Sequence, residues 1–486
     1  MTGRFVRGSL WVFSGNAAAQ LLGFAAQIAL GWLLVPAEFG LYAIVISLFA
    51  FVSILKDGGS RSVLIQRQAD DPELTRRVFW YAAGWNTLAA CLLLAIALPA
   101  TWLYDEPQLG PLLVVASLAL PIGTVGSVLT ARLTIDLRFG AVARIRTAAA
   151  LVRYGIAVLL AARGMGVMSL VLAMPIAAAF EGVAAYALAR ETPWSQAPSL
   201  ENWSILFGES RWLVVAAAGI AAIDLGFGVT LGLVLPAATL GFLFFASQLV
   251  LQIGTLVSGG IDSTLFPTLT RLAHEPSRLD GAVSRTFLHA APIAVVASLG
   301  MFLLVGPTEQ LLWHGKWAEA VSAAQVLAAL YAMNVAMAVT MAAQRATGRF
   351  RDYGTMAAVM ALWVLGMGLL GGLLTASALG TAVAIGIAMF TGSAAYTLVG
   401  LRRMGMVASR GLGPFGLAWL TGAGAAGVAW LLGRASAQSG YGPAVQSCVM
   451  VGVFIVGFML AWRLVAPGAF RIAVRTFRAL MSPGLS

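Results

Sequence analysis

Fourteen runs of about twenty apolar residues, separated by short polar connections, decide what this chain can fold into. They fall at 8–34, 38–64, 78–103, 111–134, 143–162, 166–189, 209–234, 238–262, 286–306, 320–343, 353–374, 378–401, 414–433 and 444–466. Each is long enough to cross a hydrocarbon core of roughly 30 Å as a helix, the structure that satisfies its own backbone groups where there is no water. The basic residues then assign a direction. With the N-terminus in the cytoplasm, 25 of the 30 Lys and Arg residues fall in the inner connections or at inner span ends. Arg163, Lys316 and Arg434 fall outside, and Lys56 and Arg153 lie deeper within spans. A register shifted by one span would destroy this asymmetry. The sequence therefore predicts an all-α polytopic protein of the inner membrane with both ends cytoplasmic.

Charged residues make up 10% of the chain and hydrophobic residues 60%, which leaves no room for a sizeable soluble domain. The longest inner connection, about 190–207, is short, as are the outer loops near Asp105 and between Gly306 and Glu319. Function is expected between helices. The net charge of +11 does not argue for nucleic acid, because the arginines that produce it line inner loops and face anionic lipid headgroups. Cys91 and Cys448 fall inside spans and read as apolar packing residues rather than a disulfide. His274, His289 and His314 match no metal-ligand spacing, so neither metal nor cofactor is expected. Gly411 to Gly416 imitates a dinucleotide fingerprint but follows no strand. The basic start before the first span suggests a signal peptide. That run is too long, however, and is interrupted by Asn16, Gln20 and Gln27, so it is expected to stay as a span.

The first and seventh spans begin alike, with Gly8-Ser9-Leu10-Trp11 against Glu209-Ser210-Arg211-Trp212. One span later Phe39-Gly40-Leu41-Tyr42 answers Leu240-Gly241-Phe242-Leu243 at the same offset of 201, and Pro36-Ala37 answers Pro236-Ala237 one residue out of register. Six spans separate the copies, an even number, so the repeat is parallel and its axis runs along the membrane normal. The expected domains are a six-helix bundle at 1–207, a second at 208–410, two added spans at 411–466 and a tail at 467–486. In that tail Arg471, Arg475 and Arg478 line one face and Phe470, Val474 and Phe477 the other, a basic amphipathic helix for the inner leaflet. Pro99, Pro121, Pro175 and Pro292 mark expected bends within spans.

Asn16, Gln20 and Gln27 fall at helical angles of about 0, 40 and 20 degrees, so they share one face of the first span. Such a stripe faces either a neighbouring helix, as interhelical hydrogen bonding, or a hydrophilic pathway. Gln248 and Gln252 form a smaller stripe on the eighth span with the same two readings. Ionisable residues within spans are costly unless paired or hydrated. Arg153 and Glu181 each lie roughly 10–15 Å deep on consecutive helices. They suit a structural ion pair or a role in anion binding and gating. Lys56 and Asp57 stand near the inner end of the second span, where Lys56 can snorkel. Asp224 lies near the midplane of the seventh span with no partner evident in the sequence.

The run Gly31-Trp32-Leu33-Leu34-Val35-Pro36-Ala37-Glu38-Phe39-Gly40-Leu41-Tyr42, with Asp57-Gly58-Gly59 and Val63-Leu64-Ile65-Gln66-Arg67, resembles bacterial Wzx-type oligosaccharide flippases. These form the polysaccharide-transporter branch of the multidrug/oligosaccharidyl-lipid/polysaccharide (MOP) exporter superfamily. Asp224 lies about one helical turn earlier than the acidic residue of that family. The resemblance implies two bundles that alternate between inward-open and outward-open forms. It also implies movement of a polyprenyl-diphosphate-linked oligosaccharide between leaflets, with lipid-linked oligosaccharide and membrane lipids as partners, and polysaccharide polymerase and chain-length machinery beside them. Arg153 and Lys56 would then hold the diphosphate. Asn16, Gln20, Gln27, Gln248 and Gln252 would line the substrate path, and Asp224, Glu181 and Asp57 would serve ion coupling or gating. The competing expectation is a multidrug cation exporter of the same superfamily. A polysaccharide polymerase or ligase would need a substantial outer loop that the sequence lacks.

Overall fold

The computed structural model describes residues 2–54, 72–195 and 203–468, with 2–14, 16, 72–77, 203–213, 253, 255–258, 260–264 and 267 described by their backbone alone. Among the described residues there is no strand. The helices are α1 (Thr2–Leu33), α2 (Pro36–Ser53), α3 (Pro72–Leu103), α4 (Leu109–Ile135), α5 (Phe139–Ala162), α6 (Met168–Ala189), α7 (Trp203–Leu225), the short α8 (Phe227–Leu231) and α9 (Ala237–Leu272). They continue with α10 (Pro276–Trp313), α11 (Ala318–Ala346), α12 (Phe350–Thr375), α13 (Ala378–Arg403), α14 (Ser409–Gln438) and α15 (Pro443–Val465). Eleven are long and apolar enough to cross a membrane. Shorter apolar stretches lie in α1, α7 and α9, at Ala17–Leu33, Val214–Leu225 and Ala237–Gln252.

Local chemistry sets the helix ends. Pro36 opens α2, where its missing N–H costs nothing, and the Glu38 carboxylate accepts the Val35 N–H at 2.8 Å. The helices run on through Pro99, Pro121, Pro175 and Pro292. The interruption lies elsewhere, at Gly226 between α7 and α8. There the Ser47 hydroxyl of α2 donates to the Leu225 carbonyl, which is how a freed backbone acceptor is tolerated at membrane depth.

Packing divides the chain into two compact units, residues 1–245 with 353–377, and 246–352 with 378–486. The division falls inside α9 and around α12, and it places α14 and α15 within the second unit. In the first unit α4 packs on α3 and α6, and α1 on α5. Thr147 of α5 donates to the Gly15 carbonyl of α1 at 3.3 Å. In the second unit α11 packs on α10 and α13, so the pairings of the third, fourth and sixth passes return six passes later. That recurrence is what a parallel repeat would produce.

Buried side-chain hydrogen bonds join helices in both units; in the first, Asn86 of α3 donates to Thr124 of α4 at 2.8 Å. Between α11 and α13, Ser393 donates to Asn334 Oδ1 at 2.6 Å and Tyr396 donates to Gln344 Oε1 at 2.7 Å, all four side chains being buried. The α14–α15 pair packs on α10 through Phe415 against Phe287, with Phe454, Phe458 and Trp462 in the same core. Trp419 adds a hydrogen bond to the Ala329 carbonyl of α11 at 2.9 Å. Cys91 and Cys448 are free and exposed on the surfaces of α3 and α15. They pack in neither core, which corrects the reading of both as packing residues.

Candidate functional site

The polar stripe of α1 survives in part. Gln20 is half-buried. Gln27 is 8% exposed, and its amide nitrogen has no hydrogen-bond partner among the described residues. A turn before it, the Tyr154 hydroxyl of α5 closes on Gly23, with no room between for a side chain. The side chain of Asn16 lies outside the described structure, as do Lys56 and Asp57 and the amphipathic tail.

Arg153 stands beside Tyr154 on α5, half-buried. Its Nη2 donates to the Tyr42 hydroxyl of α2 at 3.3 Å. No ion pair joins it to Glu181 among the described residues. Glu181 on α6 instead packs its side chain against Gly126 of α4, whose added Cβ would stand 3.1 Å from it. The paired reading of Arg153 and Glu181 is therefore corrected: consecutive helices at equal depth need not turn the same faces together. Among the described residues, what hydrogen-bonds Arg153 is a phenol, which does so without neutralising the guanidinium.

Asp224 lies in the last turn of α7, two residues before the interruption, and is half-buried. The last carbonyls of a helix lack intrahelical partners, and here they sit beside a carboxylate. The surrounding backbone is tightly held. Ser47 lies 2.6 Å from the Ala43 carbonyl and caps Leu225, and α2 presses on Gly228 at the same Ala43 and Ser47. Just past α3, the Tyr104 hydroxyl donates to the Val229 carbonyl of α8 at 2.8 Å. Burial pushes that phenol up to about 12.

The repeat motif supplies the tightest crossing in the first unit. Gly40 lies against the Ala237 carbonyl, and Gly241 lies against the Pro36 carbonyl and 3.0 Å from the Gly40 nitrogen, measured from an added Cβ. Each repeat glycine thus meets the Pro-Ala helix start of the other copy, and a Cβ at either position would run into a backbone carbonyl. Phe39 packs edge-on to Phe245 at 5.6 Å and Tyr42 edge-on to Phe244 at 5.8 Å. Phe39, Gly40 and Tyr42 were visible in the sequence as a motif, but nothing in their spacing showed which atoms they meet.

Gln248 and Gln252 lie beyond Phe245 and belong to the second unit, both half-buried. A small recess in that unit is lined by Val250, Gly254, Ser298, Met301 and Tyr331 and holds neither glutamine. Polar residues missed by the sequence reading include Asn334, Gln344, Ser393 and Tyr396 in this unit. Their signal was present, as amides in an apolar span, but Asn334 and Gln344 stand ten residues apart and form no obvious stripe.

Among the described residues, the chain is an all-α, many-span fold in which Arg153 has a neutral phenol as its partner and Asp224 lies at a helix end. Comparison with solved structures gives the fold of MOP-superfamily transporters. It resembles the lipid II flippase MurJ in an inward closed conformation, with a TM-score of 0.67 and 13% identity over 93% of this chain and 98% of that one. It also resembles an inward-facing multidrug resistance MATE family transporter of the MOP superfamily, with a TM-score of 0.63 and 15% identity over 80% and 94%. The chain belongs to the polysaccharide biosynthesis protein family, whose sequence model matches residues 29–322, more than half its length. It is 24% identical over 317 residues to the succinoglycan biosynthesis transport protein ExoT of Rhizobium meliloti (strain 1021). That match takes in 64% of this chain and 63% of that relative's length.

Proposed function

We propose that this protein moves a polyprenyl-diphosphate-linked oligosaccharide from the inner to the outer leaflet of the bacterial cytoplasmic membrane by alternating access. The observation that carries the reading is Arg153: a guanidinium within a membrane span whose described partner is a neutral phenol. A cation at that depth is retained where an anion or water completes it, and a guanidinium matches phosphate oxygens in a bidentate manner. Gln20 and Gln27 on α1, with Asn16, offer hydrogen bonds to sugar hydroxyls. Gln248 and Gln252 extend the same chemistry on α9, and Lys56 adds a second cation. Asp224, at the carbonyl-rich end of α7, exchanges a proton or a sodium ion as the protein cycles, with Glu181 and Asp57 as further carboxylates for gating. Both termini face the cytoplasm, which puts the α1–α2 and α8–α9 turns on the outer side. The partners are the lipid-linked oligosaccharide, the surrounding lipids, and polysaccharide polymerase and chain-length machinery.

A multidrug cation exporter shares this fold, but a cation at Arg153 would repel its substrates. The test is substitution at Arg153. Arg153→Lys should insert and fold normally yet export less glycan, because the bidentate geometry is lost, and Arg153→Ala should export less still. Normal export by the Ala variant at normal membrane abundance would refute the assignment. Loss of the protein from the membrane would make Arg153 a purely structural residue.

A further inference from the structure

We propose that Tyr42 is a positioning residue that couples anion capture at Arg153 to opening of the α2–α9 crossing. The inference rests on the reading of Arg153 as the anion-binding residue. Tyr42 is 8% exposed and faces two ways. Its hydroxyl accepts from Arg153 Nη2 at 3.3 Å, and its ring stands edge-on to Phe244 of α9 at 5.8 Å. Two residues earlier in α2, Gly40 is seated on the start of α9. The same short segment therefore touches the cation and forms the crossing at the end assigned to the outer side.

A phosphate that takes the guanidinium bidentately competes with the phenol for the same N–H groups. A ligand shifts an equilibrium only by its differential affinity for the two states. Here the difference is the Arg153–Tyr42 bond, which is made while the crossing is closed and surrendered when an anion arrives. Anion capture then weakens the hold on Tyr42 and favours separation of α2 from α9. By reciprocity, removing that bond must favour both the open crossing and the anion.

The experiment uses the full chain in nanodiscs with Cys91 and Cys448 replaced by serine. Spin labels are placed at Val35→Cys and Leu233→Cys, about half exposed at 50% and 49%, and farnesyl diphosphate is the probe. In the otherwise unsubstituted protein the probe should move the label pair to longer distance. Tyr42→Phe keeps the ring and loses the acceptor. It should show more of the long distance without probe and bind the probe about tenfold or more tighter, the worth of one hydrogen bond to a charged group. Arg153→Gln frees Tyr42 from the other side. It should show the same rise in long distance without probe, with binding reduced more than about tenfold. Their double variant should be no more open than either alone.

Distances and affinity unchanged in Tyr42→Phe, with binding lost in Arg153→Gln, would overturn the coupling and leave the Arg153 assignment standing. Weaker binding in Tyr42→Phe would make the phenol a ligand contact and also overturn it. Undiminished binding in Arg153→Gln would instead defeat the anion site itself.

Discussion

At Gly40 and Gly241 a single missing carbon lets two helices cross. Each has the other copy's Pro-Ala backbone where a Cβ would lie, and a carbonyl cannot yield as the far end of a flexible side chain can. Gly40→Val should therefore destabilise the protein by about 1–3 kcal/mol or more, the range for overpacked sites. Gly427, with nothing within 4 Å of an added Cβ, should accept alanine with a change of no more than about 1 kcal/mol. Thermal unfolding in detergent compares the two, and equal melting temperatures would mean that the crossing is loose. The sequence marked Gly40 through the motif and Gly241 through the repeat. It could not show that the two touch, because a repeat register places residues in equivalent positions without saying whether those positions meet.

At the scale of the element, the informative event is the interruption between α7 and α8. The prolines looked like the natural breaks, yet the helix continues through them, because a proline removes one hydrogen bond and neighbouring groups absorb the loss. Gly226 interrupts the helix instead, with Ser47 taking the Leu225 carbonyl. This leaves Asp224 at a helix end, where carbonyls and a carboxylate together favour a cation. If Asp224 is the coupling group, an imposed proton or sodium gradient should accelerate translocation in proteoliposomes by the unsubstituted protein and not by Asp224→Asn. An unaffected unsubstituted rate would dismiss ion coupling. An equal response in the variant would move coupling to another residue. Asp224 itself was legible as a charge in an apolar run, but the break beside it was not, since glycine occurs throughout these spans without interrupting them.

For the whole molecule, the repeated pairing of α3 with α4 and α4 with α6 by α10 with α11 and α11 with α13 fits the parallel repeat read from an offset of 201. It leaves the sidedness to the arginines. If both ends are cytoplasmic, as proposed, the turn between α11 and α12 faces inward. A cysteine at Phe350, in a chain freed of the exposed Cys91 and Cys448, should resist impermeant thiol reagents added to intact cells. Ready labelling from outside would invert the topology. Salt bridges at Asp352–Arg403 and Asp280–Arg410, both 2.6 Å, gather at this side of the second unit and are exposed enough to contribute little stability.

Sequence alone determined the all-α membrane class and the family resemblance. A membrane turns these into local properties: a span must have a certain length and apolarity, and basic residues must stay on one side. Tertiary structure decided which polar groups meet. Arg153 meets Tyr42 rather than Glu181, the buried amides of α11 meet α13, and Gly40 meets the start of α9. Those outcomes depend on the rotation and depth of each helix against its neighbours, which are set by side-chain packing across helices far apart in the chain. No stretch of twenty residues carries that information.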